Sequence, residues 1–436
     1  MQSKQIFLGI RVVAGSIAVA AFALLAPKVA PAQTETVLHS FDDTTGDAEM
    51  PYGGLVGDAA GNFYGTGSAG GATFHNLGAV FELTPSSGGG MTESLVHTFN
   101  GIDGYLPIGT PVLDGNGSGN LYGITAWGGG EGISYCGQDG CGVVFEVTRG
   151  TDGRWIEKVL HRFNYNGKDG VVPYAGLILD AAGNLYGTTA EGGTYDGGTV
   201  FELTPKTDGS WGERILHNFG NGTDGTFPRG SLIFDSAGNL YGTTSTGGVN
   251  SDGTVFELMP RAGGGWEERV LHSFSHKSTD GRLPIGGLSI DNSGNLYGTT
   301  AEGGSSESCV NYYIPSCGTV FELMPRAGGG WAERVIHNFV LNTTDGVNPE
   351  SGVIIDSAGN LYGTTYYGGA YSAGIVFELS PGADGTWTET NLHSFGDGTD
   401  GQNPDAGLIF GTSGNIYGTT LSGGAHAGGT AFEITP

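Results

Sequence analysis

A unit that recurs seven times constrains the fold of this chain more than any other feature. Its most regular copy, Pro173–Phe219, contains four short apolar runs: Gly176–Leu179, Asn184–Thr189, Thr199–Leu203 and Trp211–Phe219. Gly, Asp, Asn and Pro clusters separate the runs, which is typical of strands joined by tight turns. The tyrosine of a Tyr-Gly pair marks each copy at Tyr64, Tyr122, Tyr186, Tyr241, Tyr297, Tyr362 and Tyr417, 55 to 65 residues apart. A period of this size predicts a repeat array or a β-propeller.

The two ends of the chain contain complementary fragments of the unit. Thr34–Phe41 (T-E-T-V-L-H-S-F) matches the fourth run, whereas Gly407–Pro436 contains the first three runs and lacks the fourth. The simplest closure adds the N-terminal strand to the last blade, so that the ring has no unpaired edge. We therefore predict an all-β fold, a seven-bladed β-propeller with four-stranded blades, and antiparallel pairing of Thr34–Phe41 with Gly429–Thr435.

The N-terminal segment, residues 1–32, has the features of an export signal. Positive charges precede an apolar run, Val12–Ala26, and Ala30–Ala32 supplies a small-x-small cleavage site. The alternative is an uncleaved membrane anchor, for which the apolar run is short. We predict a signal peptide over 1–32, a propeller over 33–436, and a secreted, periplasmic or cell-surface location.

Composition and charge narrow the range of partners. Glycine accounts for 85 of the 436 residues, yet 38% of the residues are hydrophobic, which is too apolar for a disordered glycine-rich chain. The formal net charge of -27 at pH 7 repels phosphate backbones, so we expect no nucleic-acid partner. The same charge is compatible with cations, neutral sugars or basic proteins. We expect a monomer with no membrane span after cleavage of the signal.

Two long connections in each unit should emerge on one face of the ring. They are the Gly-Gly segment between the second and third runs and the Asp-Gly-x-x-Pro segment that leads into the next blade. Insertions concentrate there, so this long-loop face is where we expect function. Aromatic rings in the Gly-Gly segments suit stacking on sugar faces, or alternatively pack on the loops themselves. The candidate ligand-binding residues are Trp127, Tyr135, Tyr195, Tyr312, Tyr313, Tyr366, Tyr367 and Tyr371.

The repeated motif resembles a known family. Asp-x-x-Gly-Asn-Leu-Tyr-Gly-Thr-Thr-x-x-Gly-Gly followed by Gly-Thr-Val-Phe-Glu-Leu-Thr-Pro resembles the GloVer tandem repeat of exported bacterial proteins, over essentially the whole chain after residue 32. More loosely, it is similar to NHL-type and sensor-type propeller repeats, in which the run before Asp-x-x-Gly-Asn is the innermost strand. The resemblance implies no established activity. Members often carry a C-terminal surface anchor, which we do not expect here because the last strand motif ends at Pro436.

The four cysteines lie in two of the Gly-Gly segments. Each pair is close in sequence and has no histidine at ligand spacing, so we predict the disulfides Cys136–Cys141 and Cys309–Cys317. The alternative, a zinc site, would need more ligands in the same loop.

Two polar positions repeat in every unit. The histidines are His39, His97, His161, His217, His272, His337 and His393, and the aspartates of Asp-Gly-x-x-Pro are Asp47, Asp103, Asp169, Asp224, Asp280, Asp345 and Asp400. Metal or proton chemistry is one interpretation of the histidines, but we expect a structural hydrogen bond within each blade. Calcium is the alternative for the aspartates, where we expect an Asx turn that caps the loop. We expect no cofactor.

A third repeated position, the glutamate of Phe-Glu-Leu, has a cation twelve residues further on in several units. The pairs are Glu202 with Arg214, Glu257 with Arg269, Glu322 with Arg334, and Glu146 with Lys158. A constant offset across a hairpin predicts cross-strand ion pairs on one face of the sheet.

No motif of an established catalytic class is present. The chain contains no Gly-x-Ser-x-Gly, His-Glu-x-x-His or phosphate-binding loop, and its Asp-Gly-x-Trp segments depart from the spacing of the sialidase Asp box. We therefore predict a binding or adhesion module for a neutral glycan or a protein. The alternatives are a polysaccharide lyase or hydrolase that uses the same face, which would need non-repeated acids or bases at the channel mouth, and a purely structural surface protein.

Overall fold

The computed structural model describes residues 34–42, 46–72, 76–115, 119–130, 136, 140–277, 279–306, 309 and 316–435. Seven four-stranded antiparallel sheets succeed one another along these residues and form a ring, so the predicted seven-bladed β-propeller is confirmed. Within the described ranges, no helix has the length and apolar character that crossing a bilayer requires.

Each blade runs from its short first strand beside the channel to its long fourth strand on the outside. The first three blades contain Val56–Gly57, Phe63–Gly67, Ala79–Pro85 and Met91–Thr98; Val112–Leu113, Leu121–Thr125, Val143–Arg149 and Trp155–Arg162; Ile178–Leu179, Leu185–Thr189, Thr199–Pro205 and Trp211–Asn218. The next three contain Ile233–Phe234, Leu240–Thr244, Thr254–Pro260 and Trp266–Ser273; Ser289–Ile290, Leu296–Thr300, Thr319–Pro325 and Trp331–Asn338; Ile354–Ile355, Leu361–Thr365, Ile375–Pro381 and Trp387–Ser394. The seventh contains Ile409–Phe410, Ile416–Thr420, Ala427–Thr435 and, from the N-terminal part of the chain, Thr34–Asp42.

The N-terminal strand closes the ring as predicted. Thr34–Asp42 pairs antiparallel with Ala427–Thr435, in a register that sets Thr34 opposite Thr435 and Val37 opposite Phe432. We call this non-covalent junction, between the N-terminal strand and the other three strands of the last blade, the seam.

Two-stranded ribbons join the two long connections. In six blades, the strand that follows the repeated aspartate pairs with the Gly-Gly segment: Ala48–Glu49 with Ala69–Gly70, Gly170–Val171 with Glu191–Gly192, Gly225–Thr226 with Thr246–Gly247, Gly281–Arg282 with Glu302–Gly303, Gly346–Val347 with Tyr367–Gly368, and Gly401–Gln402 with Ser422–Gly423. The second blade has a single bridge, Tyr105–Trp127, in the same place. Both connections therefore lie on one face, as expected from the sequence.

Phenylalanine pairs fill the junctions between blades. The phenylalanine two residues after each repeated histidine contacts the Phe-Glu-Leu phenylalanine of the next blade: Phe41 with Phe81, Phe99 with Phe145, Phe163 with Phe201, Phe219 with Phe256, Phe274 with Phe321, Phe339 with Phe377, and Phe395 with Phe432. The rings are almost fully buried. Since a buried aromatic side chain is among the largest single contributors to a core, these pairs hold adjacent blades together.

Near the channel, hydroxyl groups tie one blade to the next. The threonine after Tyr-Gly donates to the carbonyl of the next blade's Pro-x-Gly segment, as from Thr66 to Gly109 at 3.1 Å and from Thr243 to Gly286 at 3.0 Å. Thr419 of the last blade donates in the same way to Gly53 of the first blade, at 3.2 Å. The first strands are so close that a Cβ atom on Gly286 would lie 2.5 Å from backbone atoms of the next blade. Glycine is therefore required at that position.

Candidate functional site

The residue after each repeated proline of the long-loop face lines one cavity, of about 870 Å³, at the mouth of the channel. The seven residues, which we call the mouth ring, are Tyr52, Ile108, Tyr174, Arg229, Ile285, Glu350 and Asp405. Proline precedes all of them, and glycine follows one or two positions later. The residue at this position thus differs from blade to blade, while the proline before it and the glycine after it recur. As a result, one side of the cavity differs chemically from the other.

The backbone before each proline fixes the mouth ring in place. All seven residues at this position have a positive φ: Met50, Leu106, Val172, Phe227, Leu283, Asn348 and Asn403. This conformation is unfavourable for non-glycine residues, and more so for a β-branched one such as Val172. Two backbone hydrogen bonds hold it: Val172 donates to the Cys141 carbonyl of the preceding blade at 3.0 Å and accepts from Ala190 at 3.0 Å. The side chains of the mouth ring therefore project from a rigid support.

Glu350 and Asp405, from adjacent blades, form an acidic pair in the mouth ring and share a hydrogen bond. Burial raises the pKa of Asp405 well above its usual range, and the charge of Glu350 raises it further. Burial also raises the pKa of Glu350, against the lowering effects of the Asp405 hydrogen bond, the Asn348 amide and the Arg229 charge. Asn348 Nδ2 donates to Glu350 Oε1 at 3.1 Å. Burial and the charge of Glu350 together favour the protonated form of Asp405.

Aromatic rings surround this pair. The Arg229 guanidinium lies 4.9 Å from the centroid of the Tyr174 ring, in a cation–π arrangement. The rings of Tyr366 and Tyr367 meet edge to face, with their centroids 4.6 Å apart. Burial and then the neighbouring hydroxyl of Tyr367 raise the pKa of Tyr366 to about 12, so its hydroxyl stays protonated and can donate a hydrogen bond. The mouth thus combines flat apolar surfaces with convergent polar groups.

The structure brings two of the candidate aromatic residues to the mouth and leaves others elsewhere. Tyr366 and Tyr367 line the cavity. Trp127 is half-buried and packs against the hydrophobic cluster between the second and third blades. Tyr195 and Tyr371, each 51% exposed, are on the long loops away from the cavity lining. The remaining candidates, Tyr135, Tyr312 and Tyr313, lie outside the described residues.

Both predicted disulfides are present. Cys136 is bonded to Cys141 and Cys309 to Cys317, and the described chain contains no free cysteine. They close insertions in the second and fifth blades. Because their cysteines do not line the mouth cavity, we assign them to stabilising the loops.

The repeated histidines and aspartates meet at the outer edge of the blades. The histidine Nε2 forms the expected structural hydrogen bond with the aspartate that follows it in four blades: His97 with Asp103 at 3.1 Å, His217 with Asp224 at 2.8 Å, His272 with Asp280 at 3.3 Å, and His393 with Asp400 at 2.8 Å. Loop N–H groups also donate to the aspartates, as from Gly225 to Asp224 at 2.7 Å. The aspartates thus cap the loops as predicted.

Sequence reasoning missed the third member of each cluster, a glutamate from the fourth strand of the next blade. These His–Asp–Glu clusters, which we call rim triads, include His217, Asp224 and Glu268. Burial is the main cause that raises the pKa of Glu268 to about 7, and Asp224 adds to it. Four further rim glutamates, Glu35, Glu213, Glu333 and Glu389, have a pKa raised to about 7 for the same main reason.

The glutamate of Phe-Glu-Leu has a second partner besides the predicted cation. The tyrosine of Tyr-Gly donates to it, as from Tyr186 to Glu202 at 2.9 Å. The cross-strand ion pairs are also present, with Arg214 3.6 Å from Glu202, Arg269 3.9 Å from Glu257 and Arg334 2.5 Å from Glu322. Lys158 instead donates to the carbonyl of Gly209 in the next blade at 2.6 Å. These groups stabilise the blades and do not reach the mouth.

The mouth ring could have been found from the sequence. Aligning the seven repeats on their prolines shows that the next residue is tyrosine, isoleucine, arginine, glutamate or aspartate, whereas the proline before it is constant and the residue after it is always glycine, alanine or serine. A position that differs between duplicated copies of one unit, beside the innermost strand, indicates an asymmetric site at the channel.

The comparison with known proteins is consistent with the repeat architecture. The chain matches the model of the Gloeobacter/Verrucomicrobia repeat over residues 132–316 and 313–436, which together make up well over half of its length. No curated protein matches the chain.

Proposed function

This chain belongs to the Gloeobacter/Verrucomicrobia repeat family, and we propose that it is an exported binding module whose channel mouth holds a neutral glycan. The family and the fold suit a binding or structural module. The observation that favours binding is the mouth ring, where the differences between blades converge on one cavity. Its volume of about 870 Å³ is within the range of small-molecule sites.

The charge of the mouth supports a neutral ligand. The chain as a whole is strongly acidic, but the mouth ring includes a cation, Arg229, whose charge lowers the pKa of Glu350, and burial raises the pKa of Asp405. An anionic glycan would meet the acidic surface of the protein before it reached the one cation of the mouth ring. A neutral saccharide meets no such repulsion.

The chemistry of the mouth supports a sugar. The faces of Tyr52 and Tyr174 offer apolar area, and their hydroxyls remain available for hydrogen bonds. The guanidinium of Arg229 and the carboxyl groups of the acidic pair can form paired hydrogen bonds with neighbouring sugar hydroxyls. Because the positive-φ supports are rigid, little side-chain ordering is needed upon binding, which favours affinity.

Binding of the mature chain to an array of neutral and anionic glycans tests this proposal. We expect retention of neutral glycans by the parent chain, and at least a tenfold loss in Tyr174→Ala, Arg229→Ala and Glu350→Gln, with unchanged thermal midpoints. Tyr195→Ala and Tyr371→Ala, in exposed aromatic residues outside the cavity, are the matched controls and should bind as the parent does.

Three outcomes would count against the proposal. Loss of binding in the Tyr195 and Tyr371 variants alone would move the site to the long loops. Selective retention of anionic glycans would contradict the charge argument. No retention of any glycan would leave a protein ligand or a purely structural role as the better account.

An enzyme that degrades polysaccharides is the second candidate, because Glu350, Asp405 and Arg229 are non-repeated groups that converge at the channel mouth. The two carboxyl groups are in direct hydrogen-bond contact, closer than the separation of about 5–5.5 Å in retaining glycosidases. Proton abstraction by Glu350, as in a lyase, therefore fits better than hydrolysis. Incubation with neutral and uronic polysaccharides, followed by assays for new reducing ends and unsaturated products, distinguishes catalysis from binding.

We also propose export by the signal peptide over residues 1–32. The two disulfides are consistent with an extracellular or periplasmic protein. N-terminal sequencing of the chain recovered from periplasm and medium should begin at Gln33. Recovery from the membrane fraction with residues 1–32 retained would favour the anchor.

A further inference from the structure

His39 and His337 also lack a hydrogen bond at Nε2, but among the described rim triads only one has an unpartnered buried polar atom on every member. His161, on the fourth strand of the second blade, lies between Asp169 of the following loop and Glu213 of the third blade. Its Nε2 atom is 3.4 Å from Asp169 Oδ2 and 3.4 Å from Glu213 Oε1. All three ligand atoms lie within 4.8 Å of one another.

Asp169 Oδ2 accepts a hydrogen bond from the Asn164 N–H at 2.9 Å, but each of the three residues also has a polar atom without a hydrogen-bond partner. His161 Nε2, Asp169 Oδ1 and Glu213 Oε1 are buried and unpartnered within the described part of the chain. The Asp169 side chain is only 7% exposed. Leaving such groups unsatisfied is costly, and buried polar atoms are normally paired. At the next junction, by contrast, His217 satisfies Asp224 with a hydrogen bond of 2.8 Å.

The distances fit a small transition-metal ion. In a tetrahedral site with metal–ligand bonds of about 2.1 Å, neighbouring ligand atoms are about 3.4 Å apart. An imidazole nitrogen with two carboxylate oxygens suits zinc, whereas calcium prefers six to eight oxygen ligands at longer distances. We propose that His161, Asp169 and Glu213 bind a Zn²⁺ ion that links the second and third blades.

An ion in solution can reach the proposed zinc site. The His161 and Glu213 side chains are 19% and 20% exposed, so an ion can reach them from the edge of the ring. This site is separate from the channel mouth, and neither proposal depends on the other.

Zinc binding by the purified, chelator-stripped chain tests the inference. Titration with ZnCl₂ against a chromophoric competitor, together with metal analysis after dialysis, gives affinity and stoichiometry. Loss of a second-shell partner alone weakens metal sites about 10–100-fold. We therefore expect Glu213→Gln to bind zinc more than about 100-fold more weakly and to lose one equivalent. Zinc should raise the thermal midpoint of the parent but not that of this variant.

The matched control is Glu268→Gln, at the junction where the histidine is already hydrogen-bonded; it should keep the parent's zinc affinity and stoichiometry. Circular dichroism verifies that each variant is folded. If Glu213→Gln does not fold, His161→Gln replaces it, with the same expected loss. No zinc binding by the parent, equal binding by the parent and the triad variants, or equal losses in the triad variant and the control would each overturn the proposal.

Discussion

Removing the aromatic side chain of Phe41, beside the seam, should test how this propeller is closed. Phe41 is 0% exposed, its centroid lies 4.9 Å from that of Phe81, and its strand is held to the other three strands of the last blade only by non-covalent contacts. Truncating a buried phenylalanine to alanine costs about 3–5 kcal/mol. Whole domains are stable by only about 5–15 kcal/mol, so Phe41→Ala should remove a large part of the unfolding free energy.

The matched variant is Phe274→Ala. Phe274 is also 0% exposed and packs on Phe321, at a centroid distance of 5.2 Å, but a hairpin connects the strand before it, Trp266–Ser273, to the rest of its blade. Both variants should lose a similar local free energy. In Phe41→Ala alone, the seam should also open before the other blades unfold, because no hairpin connects the N-terminal strand to its partner strand Ala427–Thr435.

Urea titrations followed by two probes can detect this difference. All six tryptophans belong to the second to sixth blades, so their fluorescence does not report directly on the seam, whereas far-UV circular dichroism reports on every blade. The two transitions should coincide in the parent and in Phe274→Ala and separate in Phe41→Ala. Met91→Trp adds a fluorescent reporter in the first blade. A loss below about 1 kcal/mol in Phe41→Ala would refute the packing estimate, and coincident transitions would refute the weak-seam reasoning.

Three further predictions concern single groups. Thr243→Val removes a buried hydroxyl that donates a hydrogen bond to the next blade, and it should lower the free energy of unfolding by about 1–3 kcal/mol. Thr188→Val removes a buried hydroxyl without a partner in the described chain, and it should leave the free energy of unfolding unchanged or raise it. Urea denaturation measures both changes. The raised pKa of Glu268 favours its neutral form in the folded chain, so the stability it contributes is present below its ordinary pKa of 4.5 and lost as the pH rises through about 7. Glu268→Gln should therefore melt at a higher temperature than the parent at pH 8, by a free energy on the order of 1 kcal/mol after allowing for solvent screening. Replacing Cys136 and Cys141 by serine opens a short loop, with a sequence separation of 5, and should cost only about 2 kcal/mol in thermal or urea denaturation.

Each of these predictions has a definite contrary result. Equal losses of unfolding free energy in the two threonine variants would mean that the hydrogen bond from Thr243 to the next blade contributes no stability. Parallel melting curves for the parent and the glutamine variant from pH 5 to pH 8 would place the titration of Glu268 outside this range. Failure of the serine variant to fold would show that the blade depends on its disulfide.

The sequence by itself determined the architecture. Seven copies of a four-run unit, each run bounded by turn residues, define seven four-stranded blades, and the incomplete first and last copies define the seam. Local spacing was also sufficient for the two disulfides, because their cysteines are close in the chain. In each case the interacting groups belong to one repeat or to the two ends of a repeating pattern.

Tertiary structure alone decided which residues share a site. The members of the mouth ring are about one repeat apart in sequence, and only the packing of the blades around the channel brings Glu350 beside Asp405 and within reach of the Arg229 charge. The rim triads were missed for the same reason: reading blade by blade pairs His161 with Asp169, but Glu213 comes from the next blade. A repeat pattern specifies contacts within a unit, whereas contacts between units depend on the angle and distance at which neighbouring blades pack, which the buried phenylalanine pairs set.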